Sequence, residues 1–213
     1  MTTFKAIIFD MDGVLVDTER YYYDRRKTFL DTKGISIAHL SPLDFIGGNM
    51  KQVWHMILRD DYAKWDVAAL QAEYLQYKLD HMIPYAQLLF SDAKLTLEKL
   101  KEEGYKLGLA SSTAKAEILR ALEMTELNTY FEVVLSGDDF KESKPNPEIY
   151  QVAMSKLGVN ADETLVIEDS EKGIAAGADA GAEVWAIRDQ IFGLDQSRAN
   201  RLFDSLTAIS GQL

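Results

Sequence analysis

Two aspartates separated by one residue, Asp10 and Asp12, follow directly after the apolar run Ala6–Phe9. A turn at the end of a buried strand, helped by Gly13, can direct both carboxylates towards one site. Paired carboxylates can act as a nucleophile, as a general acid and base, or as ligands of a hard cation. The same spacing also occurs in turns that satisfy their own backbone and in calcium-binding loops. The calcium loop is excluded because its later acidic ligands are missing.

Hydroxyl groups and one lysine follow later apolar runs. Ser111, Ser112 and Thr113 come directly after Leu107–Ala110, and a hydroxyl with backbone N–H groups at a strand-to-helix turn can bind an anion. Lys144 lies in the rigid segment Ser143–Pro147, just before a predicted helix. Taken singly, the serines could cap a helix and the lysine could be a solvated charge.

A second pair of acids, Glu168 and Asp169, ends the apolar run Leu165–Ile167. Adjacent carboxylates at the end of a strand can bind a hard cation or cap the next helix. If the apolar runs form one parallel sheet, their carboxyl ends share an edge, and the polar groups that follow them converge there. The order of these groups therefore indicates one site, which no single group indicates alone.

The apolar runs alternate with segments of helical periodicity, which indicates an α/β fold with a Rossmann-like, doubly wound parallel sheet. We expect Leu95, Leu97 and Leu100 to face inward from the first helix that follows residue 90. Strands are predicted at Ala6–Phe9, Leu107–Ala110, Val133–Leu135, Leu165–Ile167 and Val184–Ile187, and helices at Ala93–Glu103, Ala116–Met124, Pro147–Leu157 and Lys172–Ala180.

Residues 18 to about 85 interrupt this alternation, because their pattern predicts helices and no convincing strand. Thr18 suits the N-cap of the first helix, with Arg20 and the later charges on its outer face. We predict a catalytic core of residues 1–17 and 86–213 and a small all-helical cap of residues 18–85, with the ligand crevice between them. The cap helices are predicted at Thr18–Thr32, Gln52–Leu58 and Val67–Met82, with a loop near Ser41–Lys51.

Four parts of the sequence, taken in their order along the chain, resemble the motifs of the haloacid dehalogenase (HAD) superfamily. They are the segment Asp10–Thr18, Ser111, Lys144-Pro145 and Glu168-Asp169-Ser170. The position of the helical insert resembles that of the members with a helical cap after the first strand, and the motifs look closest to those of the β-phosphoglucomutase-like branch of phosphatases and mutases. The resemblance implies a magnesium-dependent phosphatase that hydrolyses a small phosphorylated metabolite, foremost a sugar phosphate, through an aspartyl-phosphate intermediate. The alternative is phosphoryl transfer between positions of a sugar phosphate, as β-phosphoglucomutase performs it.

The resemblance also implies a set of metal ligands. Asp10 would be both the nucleophile and a ligand of Mg²⁺, and Asp169 would be a second side-chain ligand. Glu168 would lie beside Asp169 or one shell further out. Asp12 would offer its backbone carbonyl to the metal and its carboxyl group to proton transfer. An acid at this position resembles phosphatases and mutases, since the ion-pumping ATPases have threonine there and the dehalogenases a bulky non-acid.

The remaining core residues would bind the phosphoryl group. Lys144 would pair with one of its oxygens, while Ser111 and the backbone N–H groups of Met11, Asp12 and Ser112 would hold the others. This cluster would let an acidic protein bind an anion.

The loop that contains Gly47, Asn49 and Lys51 resembles the specificity loop of the family's cap, although its glycines could also form a helix-ending turn. The mutase carries a histidine near the position of Tyr22 and an arginine near the position of Met50. Both departures favour the phosphatase over the mutase.

The amino-acid composition of the chain limits the kinds of molecule that it is expected to bind. The 213 residues include 34 acidic and 23 basic side chains, a formal charge of −11, which disfavours nucleic acid and anionic membranes. The absence of cysteine excludes disulfides and thiolate metal sites and fits a cytoplasmic protein. No apolar stretch approaches the ~20 residues of a membrane span, and Ala6–Phe9 is too short for a signal peptide. We expect a monomeric enzyme acting on a small phosphate ester that the sequence does not specify.

Overall fold

The computed structural model describes residues 4–45 and 50–213, and for Leu43, Met50, Lys51 and Gln52 it describes the backbone alone. Its strands are β1 (Ala6–Phe9), β2 (Lys106–Ser111), β3 (Val133–Ser136), β4 (Thr164–Glu168), β5 (Glu183–Ile187) and β6 (Arg201–Phe203).

The six strands form one sheet in the order β3-β2-β1-β4-β5-β6, and every neighbouring pair is parallel. β1 and β4 are buried along their whole length, which explains their continuous apolar sequences. The strand order reverses between β1 and β4, the position at which open α/β sheets bind their ligands. The predicted Rossmann-like fold is therefore confirmed.

Helices connect these strands, and the five helices that follow residue 92 pack against the sheet. One helix, residues Glu148–Leu157, packs on the three strands at one end of the sheet and buries Ile149, Tyr150 and Ala153. The helices are α1 (Glu19–Thr32), α2 (Met50–Leu58), α3 (Val67–Asp80), α4 (Tyr85–Leu88), α5 (Ala93–Glu102), α6 (Lys115–Met124), α7 (Glu148–Leu157), α8 (Glu171–Asp179) and α9 (Leu206–Ser210).

The chain divides into two compact units, one formed by Met1–Asp17 with Tyr85–Leu213 and the other by Thr18–Pro84. The first unit holds the sheet. The second holds α1, α2 and α3 around its own aromatic core, in which the ring of Phe29 lies 5.1 Å from that of Tyr74. The division places Tyr85 with the sheet. No helix formed by the described residues is long and apolar enough to cross a membrane.

The structure corrects two details of side-chain placement. Leu95 is 69% exposed, whereas Leu97 and Leu100 are buried. Residues 97 and 100 share a helix face, and residue 95 lies about 200° away from residue 97 around the axis. Arg25 and Arg26 do not lie on an outer face of α1 but are buried.

Aromatic and backbone contacts explain why the two arginines are buried within the helical unit. The Arg26 guanidinium carbon lies 4.5 Å from the ring centroid of Phe45, and Arg25 donates a hydrogen bond from Nη1 to the carbonyl of His81. The alkyl stems of arginine can pack with apolar neighbours, so charge alone does not predict which helix face is exposed.

β6 is absent from the sequence-based prediction. Its three residues, Arg201–Phe203, are too few to show a periodicity, and the strand forms the edge of the sheet through pairing with β5. Its existence therefore depends on the tertiary partner and not on the local sequence.

Candidate active site

The ends of β1 and β4 place the central carboxylates side by side. Phe9, the last residue of β1, is in register with Ile167 of β4, and the backbone N–H of Asp10 donates to the Ile167 carbonyl at 2.9 Å. Asp10 and Glu168 therefore leave neighbouring strands at the same level. This juxtaposition occurs where the strand order reverses.

The amine of Lys144 joins these two carboxylates. Its Nζ donates to Asp10 Oδ1 at 2.6 Å, to Glu168 Oε1 at 2.7 Å and to the carbonyl oxygen of Ala110 at 2.8 Å. Lys144 is 6% exposed and Asp10 7% exposed. Three acceptors thus use the three donors of the ammonium group, and the charge has two carboxylate partners.

The carboxylate of Glu168 is hydrogen-bonded through both oxygens. Oε1 accepts from Lys144 and, at 2.8 Å, from the hydroxyl of Tyr150. Oε2 accepts from the backbone N–H of Asp169 at 2.9 Å and from the N–H and hydroxyl of Ser170, each at 3.1 Å. This dense set of donors fixes the orientation of a fully buried side chain.

These contacts shift the pKa values of Asp10 and Glu168 in opposite directions. Burial raises the pKa of Asp10 to about 8, since the attraction of Lys144 does not outweigh the lost hydration and the repulsion from Glu168 and Asp12. Burial also acts to raise the pKa of Glu168, but Lys144, Tyr150 and the Ser170 N–H hold it below its ordinary value. Glu168 therefore stays ionised at neutral pH, and a nearby cation would favour the ionised form of Asp10.

Burial alone would lower the pKa of Lys144. The negative charges of Asp10 and Glu168 raise it well above its ordinary value instead. The lysine is therefore positively charged at neutral pH, which suits it to pair with an anion.

Asp169 completes a group of three carboxylates. Single oxygens of Asp10, Glu168 and Asp169 all lie within 4.8 Å of one another. Gly13, with φ of +79°, leaves room for this arrangement, because a Cβ there would lie 1.9 Å from Asp169 Oδ2. Close carboxylate oxygens are the donor set that a hard divalent cation prefers, so these residues fit the predicted metal.

Asp12 lies in the turn after β1 and contacts the turn after β2. The hydroxyl of Thr113 donates to Asp12 Oδ2 at 2.7 Å. Ser111, which is buried, accepts a hydrogen bond from the Thr113 N–H at 3.1 Å through its hydroxyl oxygen. The structure thus brings Asp12 and Ser111 to the carboxyl ends of adjacent strands, joined through Thr113.

The other predicted ligand-binding residues fall into two groups. Met11 is buried in the turn after β1, and Ser112 is exposed in the turn after β2. Gly47 and Asn49 lie outside the described residues, and the side chain of Lys51 is likewise not described.

Two further residues support the site and were not singled out from the sequence. Tyr150 is buried in α7, where its hydroxyl contacts Glu168 and Lys144 Nζ lies 4.8 Å from its ring centroid. Gln196 donates through Nε2 to the carbonyls of Asp169 at 2.6 Å and Ile187 at 2.7 Å. The sequence offers one indication of this role for Tyr150. It is an aromatic residue on the inward face of a predicted helix, six positions after Lys144.

Asp189 orders the loop that precedes Gln196. Its carboxylate accepts from the backbone N–H groups of Ile191, Phe192 and Leu194. Burial acts to raise the pKa of Asp189, but these backbone donors outweigh it and hold the pKa below its ordinary value. The Asp189 N–H in turn donates to Gln196 Oε1 at 3.0 Å, which connects this loop to the Asp169 backbone.

Comparisons with known proteins show which family the chain resembles. The family model for haloacid dehalogenase-like hydrolases matches residues 7–187. A phosphorylated carbohydrates phosphatase from Thermotoga maritima is 30% identical over 181 residues, which are 84% of this chain and 82% of that protein. A phosphoglycolate phosphatase from Aquifex aeolicus is 27% identical over 180 residues, again 84% and 82% of the two chains.

A solved structure shares the fold. The β-phosphoglucomutase from Clostridium difficile superposes with a TM-score of 0.78 at 24% identity, covering 96% of this chain and 92% of that one. The matched residues include Asp10, Ser111, Lys144 and Glu168. The chain therefore belongs to the haloacid dehalogenase-like hydrolases, as its motifs predicted.

Proposed function

We propose that this protein is a Mg²⁺-dependent phosphatase that hydrolyses a small phosphorylated metabolite, foremost a sugar phosphate, through an aspartyl-phosphate intermediate. The observation that carries the proposal is the buried Lys144 ammonium group, which contacts Asp10 and Glu168 at the point where the strand order reverses. A carboxylate nucleophile, a fixed cation and further carboxylates for a metal are what phosphoryl transfer from a dianionic ester requires.

The first step is attack by a carboxylate oxygen of Asp10 on phosphorus. A bond forms between that oxygen and phosphorus, and the bond from phosphorus to the ester oxygen breaks. Asp12 gives its proton to the departing alkoxide, so the alcohol leaves neutral. General acid catalysis of this kind is worth about 10²–10⁴-fold in rate.

The second step regenerates the enzyme. A water molecule attacks phosphorus while Asp12, now ionised, takes its proton, and the bond between phosphorus and Asp10 breaks. Inorganic phosphate and the free Asp10 carboxylate result. The same residue thus serves as acid and then as base, which returns both aspartates to their starting states.

The negative charge of the substrate must be offset for Asp10 to approach it. Lys144 supplies one fixed positive charge, and Mg²⁺ held by Asp10 and Asp169, with Glu168 beside them, would supply electrophilic activation when bound. The Ser111 hydroxyl and the N–H groups of Met11, Asp12 and Ser112 would hold the remaining phosphoryl oxygens. The protein as a whole is acidic, with a formal charge of −11, so the attraction has to be local.

The names of the relatives guide the choice of substrate. One is a phosphorylated carbohydrates phosphatase and another a phosphoglycolate phosphatase. We infer from them a small phosphate ester as substrate, with the helical unit Thr18–Pro84 as the cap that selects it. We further propose that the enzyme acts as a monomer in the cytoplasm.

Phosphoryl transfer within a sugar phosphate is the alternative. β-Phosphoglucomutase shares the fold, but this chain has Tyr22 near the position of the mutase's histidine. The two activities differ in their response to a sugar bisphosphate, which primes a mutase and is not needed for hydrolysis. Isomerisation that depends on the primer, without release of phosphate, would establish the mutase.

A phosphate-release screen tests the proposal. Purified protein is incubated with sugar phosphates, nucleotides and phosphoglycolate, with Mg²⁺ or with excess EDTA, and beside it the variants Asp10→Asn and Lys141→Met. Lys141 is exposed and serves as the matched surface control. We expect release that needs Mg²⁺, survives in Lys141→Met and is lost in Asp10→Asn. Full activity in Asp10→Asn would exclude Asp10 as the nucleophile.

A further inference from the structure

We propose that Thr113 is a positioning residue for Asp12, holding its carboxyl group in place for proton transfer in both steps of the reaction. This inference rests on the proposed phosphatase function and goes beyond it by adding a residue to its acid–base machinery. The carrying observation is the hydrogen bond of 2.7 Å from the Thr113 hydroxyl to Asp12 Oδ2. The two residues lie in different turns and are 101 residues apart in the sequence.

Thr113 is itself fixed on its backbone. Its carbonyl oxygen accepts a hydrogen bond of 2.7 Å from the hydroxyl of Ser136, a fully buried residue at the end of β3. Its N–H donates to the hydroxyl oxygen of Ser111 at 3.1 Å. Both backbone polar groups of Thr113 therefore have partners that belong to the sheet.

The turn that holds Thr113 is also packed closely against the turn after β3. A Cβ at Gly137 would lie 2.9 Å from the carbonyl oxygen of Ser112, so only glycine permits this approach without a shift. The carboxylate of Asp138 accepts from the N–H of Lys115 at 3.0 Å. Contacts on both sides of Thr113 thus hold its backbone, and through it the hydroxyl that reaches Asp12.

A hydroxyl suits this position because Asp12 must change its protonation state during turnover. Threonine donates a hydrogen bond to an ionised carboxylate and can accept one from a carboxylic acid. The hydrogen bond from Thr113 to Oδ2 therefore restricts the rotation of the Asp12 carboxyl group in either protonation state. A fixed orientation of the acid is what makes proton transfer efficient.

The test compares Thr113→Val, which removes the hydroxyl at nearly constant shape, with Thr113→Ser, which keeps it. Two probes are used: phenyl phosphate, whose leaving group has a pKa near that of tyrosine, about 10, and p-nitrophenyl phosphate, whose nitro group makes the phenolate a much better leaving group. The probes share their shape around phosphorus and differ in their need for a general acid. The ratio kcat/KM reports the step that forms the aspartyl phosphate.

We expect Thr113→Val to lower kcat/KM roughly 10–100-fold for phenyl phosphate and less than about threefold for p-nitrophenyl phosphate, since good leaving groups need little protonation. Thr113→Ser should recover most of the loss. The KM for phenyl phosphate should change less than about twofold, because positioning an acid alters the transition state more than the ground state.

Other outcomes overturn the inference in distinguishable ways. An equal loss with both probes, or a loss confined to KM, would make Thr113 a substrate-binding or merely structural residue. An unchanged Thr113→Val, beside an active wild-type enzyme, would show that its hydroxyl does not position Asp12. A wild-type protein that releases phosphate from neither probe nor from the metabolite screen would refute the proposed function, and this inference with it.

Discussion

Replacing Lys144 by methionine should destabilise the protein strongly, because the amine offsets the buried negative charge of Glu168 and donates a hydrogen bond to Asp10. Lys144 Nζ contacts Asp10 at 2.6 Å and Glu168 at 2.7 Å, and its side chain is 5% exposed. Methionine preserves the apolar stem but supplies no donor to either carboxylate or to the Ala110 carbonyl. Removing one partner of a buried ion pair costs about 3–5 kcal/mol, because the remaining charge is left without compensation.

The magnitude sets a measurable shift. For a protein of this size, 1 kcal/mol corresponds to about 2–4 °C in Tm, so we expect a decrease of roughly 6–20 °C. Urea unfolding followed by circular dichroism measures the same loss at constant temperature. Lys141→Met, three residues away on the surface, is the matched control and should change the free energy of unfolding by less than about 0.5 kcal/mol.

A second substitution separates charge from packing. Adding Glu168→Gln to Lys144→Met removes the uncompensated charge and should restore part of the stability that the single variant loses. If Lys144→Met unfolds within about 1 kcal/mol of the wild type, the amine does not compensate buried carboxylates, and the argument for this site is wrong.

Three further predictions address the surroundings of the site. Gly173→Ala should destabilise the protein by about 1–3 kcal/mol and reduce its activity, because the added Cβ would lie 1.7 Å from Glu168 Oε1. The control is Gly211→Ala, whose Cβ would have no neighbour closer than 3.5 Å. Equal urea midpoints for the two variants would contradict the packing argument. Mg²⁺ at about 100 times its Kd should stabilise the wild type by about 2.7 kcal/mol in a thermal-shift titration and Asp169→Asn far less; equal shifts would remove Asp169 from the ligands. Asp189→Asn should be less stable than the wild type by about 1–2 kcal/mol at pH 7. Because folding lowers the pKa of Asp189, the stability that its carboxylate contributes should disappear as the pH falls below about 4. A difference in urea midpoint between the two proteins that stays constant from pH 7 to pH 3 would contradict this.

The sequence predicts the core of the sheet well because buried parallel strands carry a strong local signal. Ala6–Phe9 is continuous apolar sequence and is fully buried, and the polar group that follows it is Asp10. Once the strands are known, the convergence of their carboxyl ends follows from topology. That is why the sequence alone predicts that residues as distant as Asp10, Lys144 and Glu168 lie together.

Features that depend on tertiary contacts could not be predicted in the same way. β6 has three residues and exists through its pairing with β5. Arg25 and Arg26 carry charges that suggest exposure, yet aromatic rings and a backbone carbonyl surround them. Thr113 stands in a run of hydroxyl residues, and no local pattern indicates which hydroxyl reaches Asp12.

Supporting residues were missed for a related reason. Gln196 has no charge and no motif, and its role depends on the path of the loop that returns it to Asp169. Hydrogen bonds between segments far apart in sequence leave no periodic trace. A single sequence therefore predicts the groups that do the chemistry more readily than those that orient them.

The central claim is that Asp10 forms a covalent bond to phosphorus during turnover. The most direct measurement is mass spectrometry of peptides after acid quench of the enzyme turning over p-nitrophenyl phosphate with Mg²⁺, with Asp10→Asn treated in parallel. The proposed mechanism predicts one phosphoryl group on the peptide that contains Asp10, and none on that peptide in the variant. A phosphoryl group on another residue would contradict it. So would rapid turnover without any phosphopeptide, if none accumulates even in Asp12→Ala, in which hydrolysis of the intermediate is slowed.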